Sequence, residues 1–203
     1  MLQRSAIDTP TWELLKILSS YRTFKETRLV GGTALALQLG HRKSVDLDFF
    51  GKVNFDEIDK IELFKSFANV NMLKVSRNIN IFSINGIKVD FVNYGYPWLE
   101  KSIIVEKIRL AGLKDIAAMK LAAITGRGSK KDFVDIYFLL QQFSLKELFG
   151  FYNRKYFDGS EYLALKSMTY FEDAEKEIMP KMLQEINWEK IKERILSEVQ
   201  HYR

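Results

Sequence analysis

The spacing of apolar and polar positions changes along the chain, and the change predicts its secondary structure. Short apolar stretches and alternation with a period of two predict five strands, at 27–30, 45–49, 72–76, 79–84 and 87–92. Asn85-Gly86 between the last two strands is a strong signal for a hairpin. Apolar residues spaced three and four apart, together with start and stop residues, predict helices at 8–21, 33–39 and 56–68.

From about Gly112 onward the sequence has helical spacing and no convincing strand. We therefore predict an α/β (α+β) fold, with a mixed β-sheet and flanking helices in residues 1–112 and a helical half in residues 113–203. The chain has three prolines, no internal repeat and no low-complexity tract. The two halves are therefore expected to pack against each other rather than to be joined by a flexible linker.

Length and composition narrow the class of protein. The 203 residues are 47% hydrophobic and 28% charged, which is ordinary for a globular chain with a core and excludes disordered and collagen-like proteins. The absence of cysteine excludes a disulfide framework and a thiolate metal site, and two histidines leave little for zinc. No apolar run reaches the roughly 18 residues of a membrane helix, and the N-terminus lacks a signal peptide's apolar stretch. We expect a soluble, cytoplasmic protein with no membrane partner.

The net charge of +5 is concentrated in one part of the sequence. The segment 101–131 contains two acids and eight bases, namely Lys101, Lys107, Arg109, Lys114, Lys120, Arg127, Lys130 and Lys131. A local basic zone suits a polyanionic partner such as a nucleoside triphosphate or RNA. A solvated charged surface is the alternative, and charge alone does not decide between them.

Two glycines and two aspartates form the first candidate site. Gly31 and Gly32 separate a predicted strand from a helix, where backbone N–H groups can approach a phosphate at the positive end of the helix dipole. Thr33, at the helix start, can cap the helix or contact an anion. In the acidic strand that follows, Asp46 and Asp48 share one face with Cα atoms about 6.5–7 Å apart, so they can jointly hold divalent ions for phosphoryl transfer. The neighbouring apolar residues are expected to face the core: Val45, Leu47 and Phe49.

Each of these motifs taken alone has a simpler interpretation. Two adjacent glycines commonly form a tight turn, and alternating aspartates are commonly a solvated strand face. Their conjunction favours the functional interpretation, because strand, Gly-Gly-Thr, short helix and acidic strand follow one another in order.

Three more polar residues extend the candidate site. Arg42 could bind a phosphate through its planar guanidinium, and Ser44 could form a hydrogen bond near the metal. Asp90 lies in the middle of a predicted strand and could be a third metal ligand or the base that deprotonates the attacking hydroxyl. The alternatives are a polar loop for Arg42 and Ser44, and an exposed ion pair with Lys88 for Asp90.

Lys120 is the one polar residue in the stretch 117–124. It must extend to solvent, pair with a carboxylate or be buried at a cost, and in a cleft it could neutralise triphosphate charge in the transition state. Asp135, on the next predicted helix, could be its partner. Asp132 follows Ser129 by three residues, which is the spacing of a capping box, so a structural role competes with a catalytic one.

Aromatic and basic residues are interleaved further along the chain, at Phe149, Phe151, Tyr152, Arg154, Lys155, Tyr156 and Phe157. Such a composition can stack on unpaired bases and bind the phosphates of RNA. Packing in a helical core is the alternative explanation of the aromatic residues.

Several of these motifs together resemble the abortive-infection nucleotidyltransferase toxins of the AbiEii/AbiGii type, within the polymerase beta-like nucleotidyltransferase superfamily. The resemblance rests on Gly31-Gly32-Thr33 through Arg42, Asp46-Leu47-Asp48-Phe49-Phe50, Ala118-Met119-Lys120 and Lys131-Asp132-Phe133-Val134-Asp135. The stretch Tyr170 to Glu175 with Pro180 is also similar to the tail of that family, so the resemblance covers roughly residues 5–200.

The resemblance implies a nucleotidyltransferase-like sheet and an enzyme that uses Mg²⁺ or Mn²⁺. It implies that Gly32 and Thr33 bind the nucleotide and that Asp46 and Asp48 are metal ligands. Lys120 and Asp132 would match an essential lysine and aspartate of the family, whereas a third carboxylate at the position of Asp90 is less uniform among its members.

The same resemblance implies transfer of a nucleoside monophosphate from a nucleoside triphosphate to a hydroxyl. The acceptor would be the 3′ end of tRNA or another RNA, or a protein, and the partner a cognate antitoxin in phage defence. A non-catalytic nucleotide- or RNA-binding module with the same fold is the alternative, although such a module has no need for two carboxylates at metal-binding spacing.

Overall fold

The computed structural model describes residues 2–53, 61, 63 and 65–202. Its strands are β1 (Thr27–Val30), β2 (Leu47–Gly51), β3 (Val70–Val75), β4 (Ile79–Ile84), β5 (Ile87–Asn93), β6 (Ile103–Val105) and β7 (Ile108–Leu110). They form a seven-stranded sheet in the order β3-β4-β5-β2-β1-β7-β6. The pairs β2/β5 and β1/β7 are parallel and the other pairs are antiparallel, so the predicted mixed sheet is confirmed.

The two faces of this sheet have different surroundings. Leu47 and Phe49 of β2 and Phe91 of β5 are buried in the hydrophobic core on one face. Because side chains alternate along a strand, Asp48 and Asp90 lie on the opposite face, where the strand residues are only partly buried. The two carboxylates therefore lie on the side of the sheet that faces away from Leu47, Phe49 and Phe91.

The helices are α1 (Thr9–Ser20), α2 (Gly31–Leu39), α3 (Leu113–Gly126), α4 (Lys130–Leu139), α5 (Leu145–Lys155), α6 (Glu161–Ser167), α7 (Glu172–Glu175) and α8 (Trp188–Gln200). The predicted start of α1 is confirmed, since the Asp8 side chain accepts a hydrogen bond from the Thr11 backbone N–H at 2.9 Å. Gly40 ends α2 in the left-handed conformation, as the sequence indicated.

The predicted hairpin between β4 and β5 is also present. Asn85 and Gly86 both have positive φ angles, of 50° and 83°, which is the requirement of a type I′ turn. The predicted helix 56–68 lies partly outside the described residues. Of its described members, Ile61, Leu63, Lys65 and Ser66 are helical, whereas Phe67 and Ala68 form a bend, so the helix ends before residue 68.

Two features of the sheet differ from the sequence prediction. The acidic strand begins at Leu47 and not at Val45, which is exposed instead of facing the core. The short strands β6 and β7 were not predicted, because three residues are too few to establish a period of two. They extend the sheet through a parallel pairing of Leu29 with Leu110.

The helices that follow Gly112 bring charged residues to the open side of the sheet. α3 and α4 pack on each other and on α2, and α3 also packs on α5 and α6. Their apolar side chains belong to the same core cluster as those of the sheet. None of the described helices has the length and apolar character needed to cross a membrane. The division into units at residue 112 stays a prediction.

Candidate active site

The chain turns from β1 into α2 at Gly31 and Gly32, the first two residues of α2. Each of these glycines has a charged neighbour that leaves no room for a side chain. Gly31 has a φ angle of +68°, a conformation that favours glycine, and a Cβ atom there would overlap the Asp48 carboxylate. A Cβ atom at Gly32 would overlap the guanidinium of Arg42. The glycine pair is therefore required by the close approach of an acid and a base to the backbone.

Asp48 and Asp90 are direct neighbours on two parallel strands. The register of β2 and β5 pairs them, and adjacent strands are about 4.8 Å apart. Burial and the negative charge of Asp90 raise the pKa of Asp48 to about 6. Lys88 offsets part of this charge, since its Nζ lies 2.7 Å from Oδ2 of Asp90. The expected Lys88–Asp90 pair therefore exists, and it lies beside a second carboxylate.

The carboxylate pair fits a divalent cation. Oδ1 of Asp90 is buried without a hydrogen-bond partner among the described residues, and two like charges lie side by side. Carboxylate oxygens are the ligands that Mg²⁺ and Mn²⁺ prefer, and Mg²⁺ commonly keeps several waters or phosphate oxygens besides one or two carboxylates. Residues 2–53, 61, 63 and 65–202 contain no group of three or more His, Asp or Glu that could hold a metal ion. The protein would therefore supply two carboxylates as metal ligands.

Asp46 lies apart from this pair but borders the same cavity. It precedes β2, and its Oδ2 lies 3.9 Å from Nζ of Lys131. Its backbone oxygen accepts a hydrogen bond from the hydroxyl of Thr33, which also lies 2.8 Å from the Ser44 hydroxyl. Thr33 is buried and does not cap α2, so it fixes the loop that carries Ser44 and Asp46.

A buried charge network lies behind the glycine turn, with Asp135 at its centre. Arg42 donates from Nε and Nη2 to the two carboxylate oxygens of Asp135, at 2.7 and 2.8 Å. His41 Nε2 lies 2.8 Å from the same carboxylate, and Lys120 Nζ lies 2.6 Å from it. The predicted Lys120–Asp135 pair is confirmed. The sequence suggested that the guanidinium of Arg42 binds a phosphate. In the structure this guanidinium is hydrogen-bonded to Asp135.

Asp132 is the second acid of this network. Lys120 Nζ donates to it at 2.9 Å, Arg127 donates through Nε at 2.8 Å, and the Ser129 hydroxyl donates at 2.6 Å. Ser129 precedes α4 but makes no side-chain cap, so the predicted capping box is absent at this helix start. Asp132 is fully buried, and the catalytic role that the resemblance implies for it stays a prediction.

In this network, burial and charge pairing shift the pKa values in opposite directions. Burial disfavours the charged forms of Asp132 and Asp135, but Lys120 and the two arginines outweigh it and lower the pKa of both carboxyls. Burial would also lower the pKa of Lys120, yet the carboxylates of Asp135 and Asp132 raise it above its ordinary value. All three groups are therefore charged at neutral pH.

Two cavities meet at Asp48 and Asp90. One, of about 480 Å³, is cationic and includes the loop before β2, with Lys43, Lys131 and Lys181 among its lining residues. The other, of about 450 Å³, is largely apolar and extends toward Phe50 and Tyr156. The residues that border both cavities are Gly31, Asp48, Asp90, Lys120 and Arg127.

The C-terminal segment around Lys181 completes the cationic cavity. The backbone N–H of Lys43 donates to the Lys181 oxygen at 2.8 Å, and Arg42 and Met182 form an antiparallel bridge. The sequence patterns indicated neither Lys181 nor Lys43 as a functional residue. Lys181 follows the candidate loop by about 140 residues, and no local pattern reports such a distant pairing.

The basic and aromatic runs are each divided by the fold. Lys120 and Lys130 are buried, whereas Lys101, Lys107 and Arg109 are exposed around β6 and β7, so the predicted basic zone is no single surface. Phe149, Phe151 and Tyr152 pack in the core, as the simpler interpretation held. Tyr156 borders the apolar cavity and Phe157 is 86% exposed.

The fold and this site define a nucleotidyltransferase-like protein. MenT4, a nucleotidyltransferase toxin from Mycobacterium tuberculosis H37Rv, has a similar structure, with a TM-score of 0.61, 15% identity, and coverage of 97% of this chain and 87% of that one. JHP933 from Helicobacter pylori is similar with a TM-score of 0.58 and 18% identity, over 98% of this chain and 92% of that one. At these identities the likeness concerns the fold.

The sequence match is more specific than the structural one. Residues 13–202 match the model of the AbiEii nucleotidyl transferase toxins of type IV toxin–antitoxin systems, and the chain belongs to that family. It is also 38% identical over 199 residues to a protein of Aquifex aeolicus (strain VF5), "Uncharacterized protein aq_aa25", covering 94% of each chain. The resemblance drawn from the motifs is thereby confirmed.

Proposed function

We propose that this nucleotidyltransferase transfers a nucleoside monophosphate from a nucleoside triphosphate to a hydroxyl, with Mg²⁺ or Mn²⁺ as cofactor. The observation that supports it most is the position of Asp48 and Asp90 at the end of a cationic cavity, directly beside the Gly31-Gly32 turn. Paired carboxylates next to a cationic cavity are suited to phosphoryl transfer.

In this proposal the cationic cavity binds the triphosphate. Lys43, Lys131 and Lys181 provide its positive charge, and the Gly31-Gly32 backbone allows close approach at the start of α2. Ser44 borders the cavity and can donate a hydrogen bond, while Thr33 holds the loop behind it. Arg42 contributes charge from behind the turn and is held in place by Asp135.

Asp48 and Asp90 would hold the divalent cation, which when bound neutralises charge on the reacting phosphate. Asp46, which the sequence suggested as a partner of Asp48 in metal binding, borders the same cavity but lies apart from the pair. Lys120 borders both cavities and adds a fixed positive charge beside the carboxylate pair. Asp132 and Asp135 keep Lys120 charged and in position. The carboxylate pair would also accept the proton of an attacking hydroxyl.

For the acceptor we propose the 3′ end of a tRNA or another RNA, and for the setting a cytoplasmic toxin that a cognate antitoxin neutralises. The aromatic and cationic surroundings of the site support an RNA acceptor, and membership of a toxin family supports the toxin setting. A protein hydroxyl would suit the same carboxylate pair, and a non-catalytic module would bind nucleotide without transferring it.

The test is label transfer from each α-labelled nucleoside triphosphate in turn to total RNA and to total protein, with Mg²⁺. Wild type is compared with Asp48→Asn and with Glu13→Gln, which removes an exposed acid on α1 that pairs with Lys16. We expect label in a tRNA-sized band with wild type and Glu13→Gln only. Label in protein would redirect the proposal to protein modification, and label in no band would favour the binding module.

A further inference from the structure

The apolar cavity lies beyond the carboxylate pair, as seen from the cationic cavity. In the direction of β2, Asp46 just before the strand borders the cationic cavity, Asp48 borders both, and Phe50 borders the apolar one. β5 runs parallel to β2 and repeats the order, with Lys88 at the cationic cavity and Asp90 at both. Two residues of a strand span about 6.6 Å, so the cavities follow each other along the strand direction.

The order of the two cavities determines the side from which an acceptor hydroxyl can attack phosphorus. The attacking and leaving oxygens are roughly in line in phosphoryl transfer. If the triphosphate lies in the cationic cavity, pyrophosphate leaves on that side, and the attacking hydroxyl must approach from the side of the apolar cavity. The oxygen that joins the donor nucleoside to phosphorus points sideways from this line. The acceptor would therefore occupy the apolar cavity.

The walls of the apolar cavity suit a nucleobase. Phe50 and Tyr156 supply aromatic faces, and Ile116 and Met119 of α3 supply aliphatic contacts. A volume of about 450 Å³ lies in the range of small-molecule pockets. Aromatic side chains bind unpaired bases by stacking, largely without regard to sequence.

Aromatic residues continue from this cavity to the surface. The ring of Tyr156 lies 4.7 Å from that of Tyr96, which lies 6.1 Å from the ring of Phe157, centroid to centroid. Phe157 is 86% exposed and lies in the turn that follows α5. A strand of RNA that enters the cavity can place its preceding base on this exposed ring.

We propose that the apolar cavity binds the 3′-terminal nucleoside of a single-stranded RNA acceptor, with its base against Tyr156 and the preceding base on Phe157. This inference rests on the proposed nucleotidyl transfer and adds to it the place where the acceptor end binds. The 3′-hydroxyl would lie beside Asp48 and Asp90. It passes its proton to this carboxylate pair as its oxygen bonds to the α-phosphorus, and the bond from that phosphorus to the bridging oxygen breaks, which releases pyrophosphate.

The test measures binding and transfer separately. Fluorescein-labelled single-stranded tetraribonucleotides of mixed sequence are titrated with the protein, and fluorescence anisotropy gives their Kd without nucleoside triphosphate. Transfer assays then give the KM of the oligonucleotide and that of the nucleoside triphosphate. The variants are Tyr156→Ala, Tyr156→Phe and Phe157→Ala, with Tyr162→Ala as the control. Tyr162 is an exposed tyrosine of α6 that borders neither cavity.

We expect Tyr156→Ala to raise the Kd and KM of the oligonucleotide about tenfold, in the range of a lost base stack. The KM of the nucleoside triphosphate should stay within twofold, and Tyr162→Ala should resemble wild type. Tyr156→Phe keeps the ring, so it should bind the oligonucleotide more tightly than Tyr156→Ala does. Phe157 is exposed, so Phe157→Ala leaves folding intact and should raise the oligonucleotide Kd several-fold.

Two results would overturn the inference. One is an oligonucleotide Kd unchanged in both Tyr156→Ala and Phe157→Ala. The other is a rise in the KM of the nucleoside triphosphate alone, which would mean that the base of the nucleoside triphosphate occupies the apolar cavity. Absence of transfer by wild type would instead reject the proposed function, and the Kd comparison would still decide whether RNA occupies this cavity.

Discussion

Arg42 and Asp135 are joined by two hydrogen bonds, from Nε and Nη2 to the two carboxylate oxygens, and both side chains are buried. This bidentate pair ties the loop before β2 to helix α4. It also brings the guanidinium against Gly32, at the turn proposed to bind phosphate. The C-terminal helices thus fix the geometry of a turn that lies about 100 residues earlier.

The Arg42–Asp135 pair should be important for stability. Removing one partner of a buried ion pair leaves the other charge uncompensated, so Asp135→Asn and Arg42→Ala should each lower the free energy of unfolding by about 3–5 kcal/mol. Urea denaturation followed by circular dichroism measures the change. The control is Arg194→Ala, which removes an exposed pair with Glu198 on α8 and should cost about 0.5 kcal/mol or less. Equal effects of the buried and exposed substitutions would contradict the expectation.

Gly32→Ala should displace the guanidinium of Arg42, because the new Cβ atom would occupy its position. We expect a large loss of nucleotidyl transfer, measured as kcat/KM, together with a lower melting temperature. Gly150→Ala is the matched control, since a Cβ atom there meets no neighbour and the residue lies within α5. That substitution should stabilise the protein by about 0.5–1 kcal/mol and leave activity unchanged.

Stability should fall steeply in acid. The pKa of Asp132 is lowered in the folded protein below its ordinary value of 3.8, so its stabilising contribution is complete above that value. The contribution is lost as the pH falls through the lower pKa of the folded state. Asp132→Asn should therefore be less stable than wild type at pH 7, and the difference should shrink toward pH 2. Thermal melts across this pH range would show a constant difference if Asp132 were unpaired.

Lys181→Ala should weaken binding of the nucleoside triphosphate. The side chain contributes positive charge to the cationic cavity and is exposed, so its removal should raise the KM of the nucleoside triphosphate several-fold without changing the melting temperature. Lys176→Ala removes an exposed lysine that does not border that cavity and serves as the control. The effect should decrease as salt is added, because exposed charges are screened. A KM equal to that of the control would exclude Lys181 from the triphosphate site.

The carboxylate pair should bind a divalent cation before any nucleotide arrives. Mn²⁺ binding, followed by electron paramagnetic resonance, should be weaker by at least tenfold in Asp48→Asn, because one of two adjacent carboxylates is lost. Glu13→Gln should bind like wild type. Equal Mn²⁺ affinity in all three proteins would place the ion elsewhere.

The sequence by itself determined the local elements and the residue types of the site. Period-two alternation placed β4 and β5, Asn85-Gly86 placed their hairpin, and Asp8 and Gly40 marked the helix ends. These features depend on neighbouring residues, whose preferences are readable along the chain. The family followed from the same local motifs, since their residues are close together in sequence.

Tertiary structure decided how the candidate residues are used. Parallel pairing of β2 with β5 makes Asp48 and Asp90 neighbours, and no spacing in the sequence states that pairing. Asp135 binds the guanidinium of Arg42. Lys181, about 140 residues after Arg42 in the sequence, borders the cationic cavity. Long-range contacts of this kind depend on how whole elements pack, whereas periodicity and capping report the adjacent turn or strand. The sequence therefore supplied the carboxylates and cations, and the packing of helix and sheet assigned each its neighbour.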